Sequence, residues 1–174
     1  MTARTQTRPL ANEFAEYYGR YIELVPDGDV LASLEKQRKE TVKLLGGLSE
    51  AKGGHRYAPD KWSIKGVLGH VTDAERVFAY RALSIGRADP TPLPGFDEKT
   101  WADGAKFDRQ ALKDLVRDYE MVRDTTLSLL RSLPEEAWLR RGTASNWPVT
   151  VRALAWIIAG HERHHMKILK ERYL

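Results

Sequence analysis

Apolar residues recur along this chain at intervals of three and four, the repeat of a helix face, in one short stretch and four long ones. The short stretch covers residues 11–25, where Phe14, Tyr17, Tyr18, Tyr21 and Ile22 share a stripe that Pro26, Asp27 and Gly28 end. Asp29 can cap a second helix over residues 29–45, with Val30, Leu34, Val42 and Leu45 among its apolar positions and Gly46 and Gly47 as its stop. Ser63 opens a third, through residue 84, whose face carries Val67, His70, Ala74, Val77, Phe78 and Arg81. Asp108 can cap a fourth over residues 108–133, with Leu112, Leu115, Val116, Tyr119, Val122, Leu127 and Leu130 in period and Pro134 as its end. Pro148 and Thr150 introduce a last helix that runs to residue 174.

Residues 86–107 hold Pro90, Pro92, Pro94 and three glycines, which predicts a long irregular connection of the kind that often borders a site. No segment alternates with period two over a useful length, so the expected class is all-α. Four long helices and one short one fit a four-helix bundle with an additional short N-terminal helix packed outside it. Bundles build their sites from side chains that project into the core. Residues 1–9, polar and rich in Thr and Arg, read as a flexible N-terminal arm, leaving residues 10–174 as a single helical bundle domain.

Composition narrows the chemistry. The 28 Lys and Arg are interspersed with 24 Asp and Glu, and the net charge is only +4. The most compact basic group, Arg163, Lys167 and Lys170, is too short for the clustered stripe that nucleic acid requires, so no nucleic-acid partner is expected. No apolar run is long enough to span a membrane and no secretory signal is present, which leads us to expect a soluble, cytoplasmic protein with no membrane partner. Cysteine is absent, so disulfides, thiolate metal sites and a cysteine nucleophile are excluded, and His and carboxylates remain as metal ligands.

Those ligands concentrate in the last helix. In His161-Glu162-Arg163-His164-His165 two imidazoles stand four residues apart, one above the other on one helix face. His161 and His165 fall near the centre of the arc formed by Leu154, Ile157, Ile158 and Ile168, so both point inward, close enough to share one cation at ~2.0 to 2.1 Å. Inward histidines can also be ordinary hydrogen-bonded core residues. A second apolar face with a mid-helix His70 favours the metal reading, since three neutral imidazoles close three corners of a coordination sphere. Such a set leaves positions open for water or substrate, as in catalytic zinc sites.

Other residues have weaker claims. His164 and Glu162 lie at the two edges of the arc, where either could orient a ligand, and His55 sits in a Gly-rich loop and is expected to be exposed. Asp73, one turn beyond His70, could orient a ligand or substrate, or pair with a neighbouring Arg. Arg81, three turns along the same face, could recognise an anionic group, or extend to the bundle end. Trp156 lies on the other side of the last helix among charges, and is expected to be covered within the chain. The same five residues match H-E-x-x-H, with Glu162 as the base of a metalloprotease. The extended metzincin pattern is missing, because positions 168 and 171 hold Ile and Glu.

Several of these pieces occur together in a known order. Trp62-Ser63 before a helix, His70 followed by Glu75-Arg76-Val77-Phe78-Ala79-Tyr80-Arg81, and the terminal Gly160-His161-Glu162-Arg163-His164-His165 resemble the DinB-like, YfiT-type metal-dependent superfamily. Thr91-Pro92-Leu93-Pro94-Gly95-Phe96-Asp97 and Pro148-Val149-Thr150-Val151-Arg152 are similar to the branch with the second DinB-like domain type, and the resemblance spans residues 31–174. It implies a four-helix bundle, often a homodimer, with zinc or nickel held by three histidines that map onto His70, His161 and His165. It also implies, for some members, thiol S-transferase or isomerase activity with a low-molecular-weight thiol as cosubstrate. The expectation is a metal-dependent transferase or hydrolase acting on a small molecule and activating a bound thiol or water; the alternative is a non-enzymatic metal-binding stress-response module.

Overall fold

The computed structural model describes residues 7–174. Two 3-10 turns, Ala11–Glu13 and Glu16–Tyr18, lead into the one-turn helix α1, Gly19–Ile22. The bundle consists of α2, Val30–Gly46; α4, Ile64–Gly86; α6, Leu112–Ser132; and α7, Val151–Ile168. Short helices α3, Glu50–Gly53, and α5, Glu98–Ala105, lie in the connections, and a hairpin of β1, Arg141–Ala144, and β2, Trp147–Thr150, precedes α7. The chain leaves α7 through a wider, π-type turn, Leu169–Tyr173. None of the helices among the described residues is long and apolar enough to cross a membrane.

Three of the four expected caps are in place. Asp29 accepts from the backbone N–H of Leu31 at 2.8 Å, Ser63 from Gly66 at 2.9 Å and Thr150 from Ala153 at 3.0 Å. The fourth is a correction, because α6 starts four residues later than Asp108. Asp108 lies in a 3-10 turn, Phe107–Arg109, and accepts from the Ser63 hydroxyl and from Arg56. The orphan N–H at the start of α6 is met instead from a distance, by the Glu50 carboxylate on Leu112 at 2.9 Å.

Other expectations change for local reasons. A continuous helix over residues 11–25 does not form, because Phe14 and Ala15 are extended and the buried Glu13 carboxylate binds Leu10 N–H at 2.9 Å, Thr150 Oγ1 at 2.8 Å and Arg152 Nε at 3.1 Å. That ties the segment to the start of α7. Residues 86–107 are irregular only as far as Asp97, whose carboxylate caps α5 on Thr100 at 2.6 Å. The hairpin gives no signal in the sequence because four-residue strands are too short to show alternation; Ser145 and Asn146, both at positive φ (53° and 66°), form its two-residue turn. Of the arm, Met1 to Gln6 lie outside the described residues. Arg8 is held, donating to Ile22 O at 2.8 Å and Val25 O at 2.7 Å, with its guanidinium 4.9 Å above the fully buried Trp156.

In the bundle, α4 packs against α6 and α7, and α2 packs against the same two helices. Hence α2 and α4 face each other across a diagonal, as do α6 and α7. The core has two apolar halves. One gathers Leu34, Phe78, Leu127, Trp138, Trp156 and Ile157; the other gathers Leu45, Leu68, Leu115, Tyr119 and Leu169. Between them runs a polar waist. Arg123 of α6, with no exposed surface, binds Glu75 of α4 through two hydrogen bonds of 2.7 Å and Glu162 of α7 at 2.8 Å, and donates to Leu34 O of α2 at 3.1 Å. Glu162 also accepts from Thr41 at 2.6 Å, Tyr119 at 2.6 Å and Gln37 at 3.0 Å. All four bundle helices therefore meet at one buried guanidinium.

Removing that guanidinium strands two buried carboxylates. Arg123→Met, which keeps most of the side-chain volume, is expected to cost about 3 to 5 kcal/mol of unfolding free energy, measured by urea titration. A loss below ~1 kcal/mol would mean that the waist is not an ionic clamp.

Candidate metal centre

The site lies at the level of the waist, on the side of α4 and α7 that faces α1. His70 comes from the second turn of α4 and is 7% exposed; His161 and His165 come from α7. Their ring nitrogens converge. Nε2 of His161 is 3.1 Å from Nε2 of His70 and 3.2 Å from Nε2 of His165, and the ligand atoms of all three lie within 4.8 Å of one another. Two nitrogens held ~2.0 to 2.1 Å from a tetrahedral ion would stand about 3.3 Å apart, so the spacing suits a shared cation.

Electrostatics point the same way. Burial pushes His70 down from 6.5 to about 4, only partly opposed by Glu98, and burial together with the other imidazoles holds His161 and His165 well below the usual range. At neutral pH three uncharged rings bring their Nε2 atoms to one point, and His161 Nε2 cannot serve two neighbours as both donor and acceptor. A divalent cation resolves that crowding, and neutral imidazole is the form that binds it.

A cavity of about 260 Å³ opens on the histidines. Its walls are mostly aromatic: Tyr17, Tyr18 and Tyr21 on one side, Trp62 from just before α4, Phe78 from the middle of α4, and Phe96 from the proline-rich connection. Ser145, at the tip of the hairpin, and Glu98, first residue of α5, complete the rim. The tyrosine segment can lie this close because of Gly160. A Cβ there would sit 2.1 Å from the backbone oxygen of Tyr21, so only glycine lets α1 rest on α7, where the Tyr21 ring stands edge-on to His161 at 5.3 Å. Burial drives the Tyr21 hydroxyl up to about 12, so it remains a proton donor at neutral pH.

The remaining sequence candidates go elsewhere. Glu162, one residue past His161, is turned about 100° around the helix into the Arg123 network and does not face the cavity. The protease reading of H-E-x-x-H loses its base for that reason. Asp73 accepts from Arg76 at 3.1 Å, the ordinary pairing. Arg81 is buried and donates to Pro94 O at 2.7 Å and Ser145 Oγ at 2.9 Å, so it braces the rim. His164 packs on Tyr21 beside the triad, and His55 is exposed. Two cavity residues, Arg20 and Ser145, carried no periodic signal in the sequence, since both lie in short, irregular segments.

Known proteins give the same picture of the fold. Residues 33–169 match the family model of the DinB superfamily. No curated protein matches the sequence. The solved structure of YfiT from Bacillus subtilis, described as "a probable metal-dependent hydrolase with an unusual four-helix bundle topology", is similar at a TM-score of 0.69 and 17% identity, covering 94% of this chain and 89% of that one. At this identity the likeness shows a shared bundle fold.

Two outcomes follow from the geometry. In metal-free protein the unfolded chain takes up protons below 6.5 while His70 stays neutral to about 4, so stability is full above that window and falls as pH drops through it. His70→Phe should flatten this decline, read from urea midpoints between pH 4 and 7; an unchanged slope would show that His70 is not buried as a neutral ring. Gly160→Ala should destabilise by about 2 kcal/mol or more and increase exposure of Tyr21, seen as a faster rate of tyrosine nitration.

Proposed function

The chain belongs to the DinB superfamily, and from that premise we propose that it is a metal-dependent enzyme of hydrolase or transferase type, with His70, His161 and His165 holding one divalent ion. The observation that carries this reading is the convergence of three neutral imidazoles on one point at the floor of an open cavity with largely aromatic walls. Among the described residues the group of potential ligands contains these three histidines and no carboxylate, which leaves room for a small molecule. When bound, the ion would supply Lewis acidity that makes a water or an external thiol a nucleophile near neutral pH. Zinc and nickel both suit an imidazole set.

The protein's own residues have separable tasks. Arg123 holds Glu75 and Glu162, and so fixes the spacing of the two helices that carry the histidines. The aromatic walls lower the polarity around the buried imidazoles and so strengthen polar interactions beside them. Tyr21 accepts from Arg20 at 2.9 Å, which leaves its own proton available to the Tyr17 oxygen, 3.4 Å away, or to a developing negative charge on a substrate. A hydrolase accords with the description of YfiT. A transferase would draw a low-molecular-weight thiol from outside, since the chain has no cysteine. A non-enzymatic metal-binding module is the second reading, and the cavity is the observation against it.

Untagged protein is expected to carry close to one equivalent of zinc or nickel by elemental mass spectrometry. His70→Ala should lower that content by more than about ten-fold while the helical circular dichroism is retained. Full metal retention by the variant would remove His70 from the site, and protein that takes up no metal even after reconstitution would end the enzymatic reading.

A further inference from the structure

Among the described residues Arg20, exposed at the cavity's edge, is the one basic side chain, Lys or Arg, that lines it. Its guanidinium lies 4.0 Å from the centre of the Tyr17 ring and 4.8 Å from that of Tyr21, and it donates to the Tyr21 hydroxyl at 2.9 Å. Among the described residues no carboxylate lies within ion-pair distance of it, whereas the inward Arg81 is already committed to Pro94 O and Ser145. A guanidinium held beside two rings whose planes stand nearly at right angles, 80° apart, keeps N–H groups for a planar anion, the partner that arginine binds in two-pronged fashion.

We infer that the cavity takes a small carboxylate with an apolar, preferably aromatic body, and that Arg20 recognises its carboxylate. The inference rests on the proposal that this cavity is the substrate site. Three features of the cavity set the ligand class. Its volume of about 260 Å³ is at the small end for organic ligands. Tyr18, Phe78 and Phe96 offer faces and edges to a flat apolar body. Glu98, on the same wall, repels a second anionic group, so a monocarboxylate is favoured over a dicarboxylate.

The test is calorimetric titration of the full-length protein, zinc-loaded and zinc-free, with 3-phenylpropionate and with its amide at pH 7. Zinc-free wild type is expected to bind the acid about ten-fold more tightly than the amide. Arg20→Gln should bring that ratio to about one, and Glu98→Gln should raise affinity for the acid about two-fold or more without changing the amide. The opposite directions separate recognition from damage to the fold. Equal binding of acid and amide by wild type, a preference that survives Arg20→Gln, or no binding of either compound would overturn the inference. Zinc measured on the same samples keeps the two claims apart. An acid preference in protein that never holds zinc would sink the metal site and leave Arg20 standing; zinc held without the preference would do the reverse.

Discussion

The buried guanidinium of Arg123 sets the terms for the rest of the molecule. Two carboxylates inside a bundle core are tolerated only when opposite charge and hydrogen-bond donors meet them at close range. Here one guanidinium and three neutral donors do so, and these come from α2 and α6, while the carboxylates come from α4 and α7. A slip of one residue in any of the four helices would leave a buried charge without its partner, a far larger penalty than an apolar mismatch. The waist therefore selects one register of the bundle. Because Glu162 and His161 are adjacent, and Glu75 lies little more than a turn from His70, the same register brings the imidazoles together.

Much of this was legible in the sequence, and for a specific reason. Helical period and capping residues located the four long helices, and the i, i+4 pair His161 and His165 on an apolar arc aimed both rings inward. His70 was found the same way. Arg123 and Glu75 carried the same signal, since Arg123 stands midway between Tyr119 and Leu127 and Glu75 between Val71 and Phe78 on the inner stripes. A charge inside an apolar stripe is easily taken for a solvated position; the partners that allow burial lie 39 and 48 residues apart in the chain, beyond any local pattern. Glu162 reads from the sequence as an edge residue of the inward arc and as the Glu of H-E-x-x-H; its partners Thr41, Tyr119 and Arg123 lie on other helices and draw it away from the cavity.

The short elements were harder. The hairpin, α5 and the interrupted N-terminal segment are each held by long-range contacts, such as Glu13 on Thr150 and Leu93 N–H on Thr143 O at 2.9 Å. Their conformation follows from what they pack against. Arg20 and Ser145 belong to these segments, so their arrival at the cavity depends on the finished fold.

The cavity is thus assembled from two kinds of material. Its floor belongs to α4 and α7, locked by charges that leave no freedom for drift. Its walls belong in large part to the tyrosine segment, the proline-rich connection and the hairpin tip, three stretches outside the four bundle helices. Substitutions in those stretches can reshape what the cavity accepts while the imidazoles stay where they are. A bundle organised in this way can keep one chemistry over long divergence and change its clientele by exchanging loops.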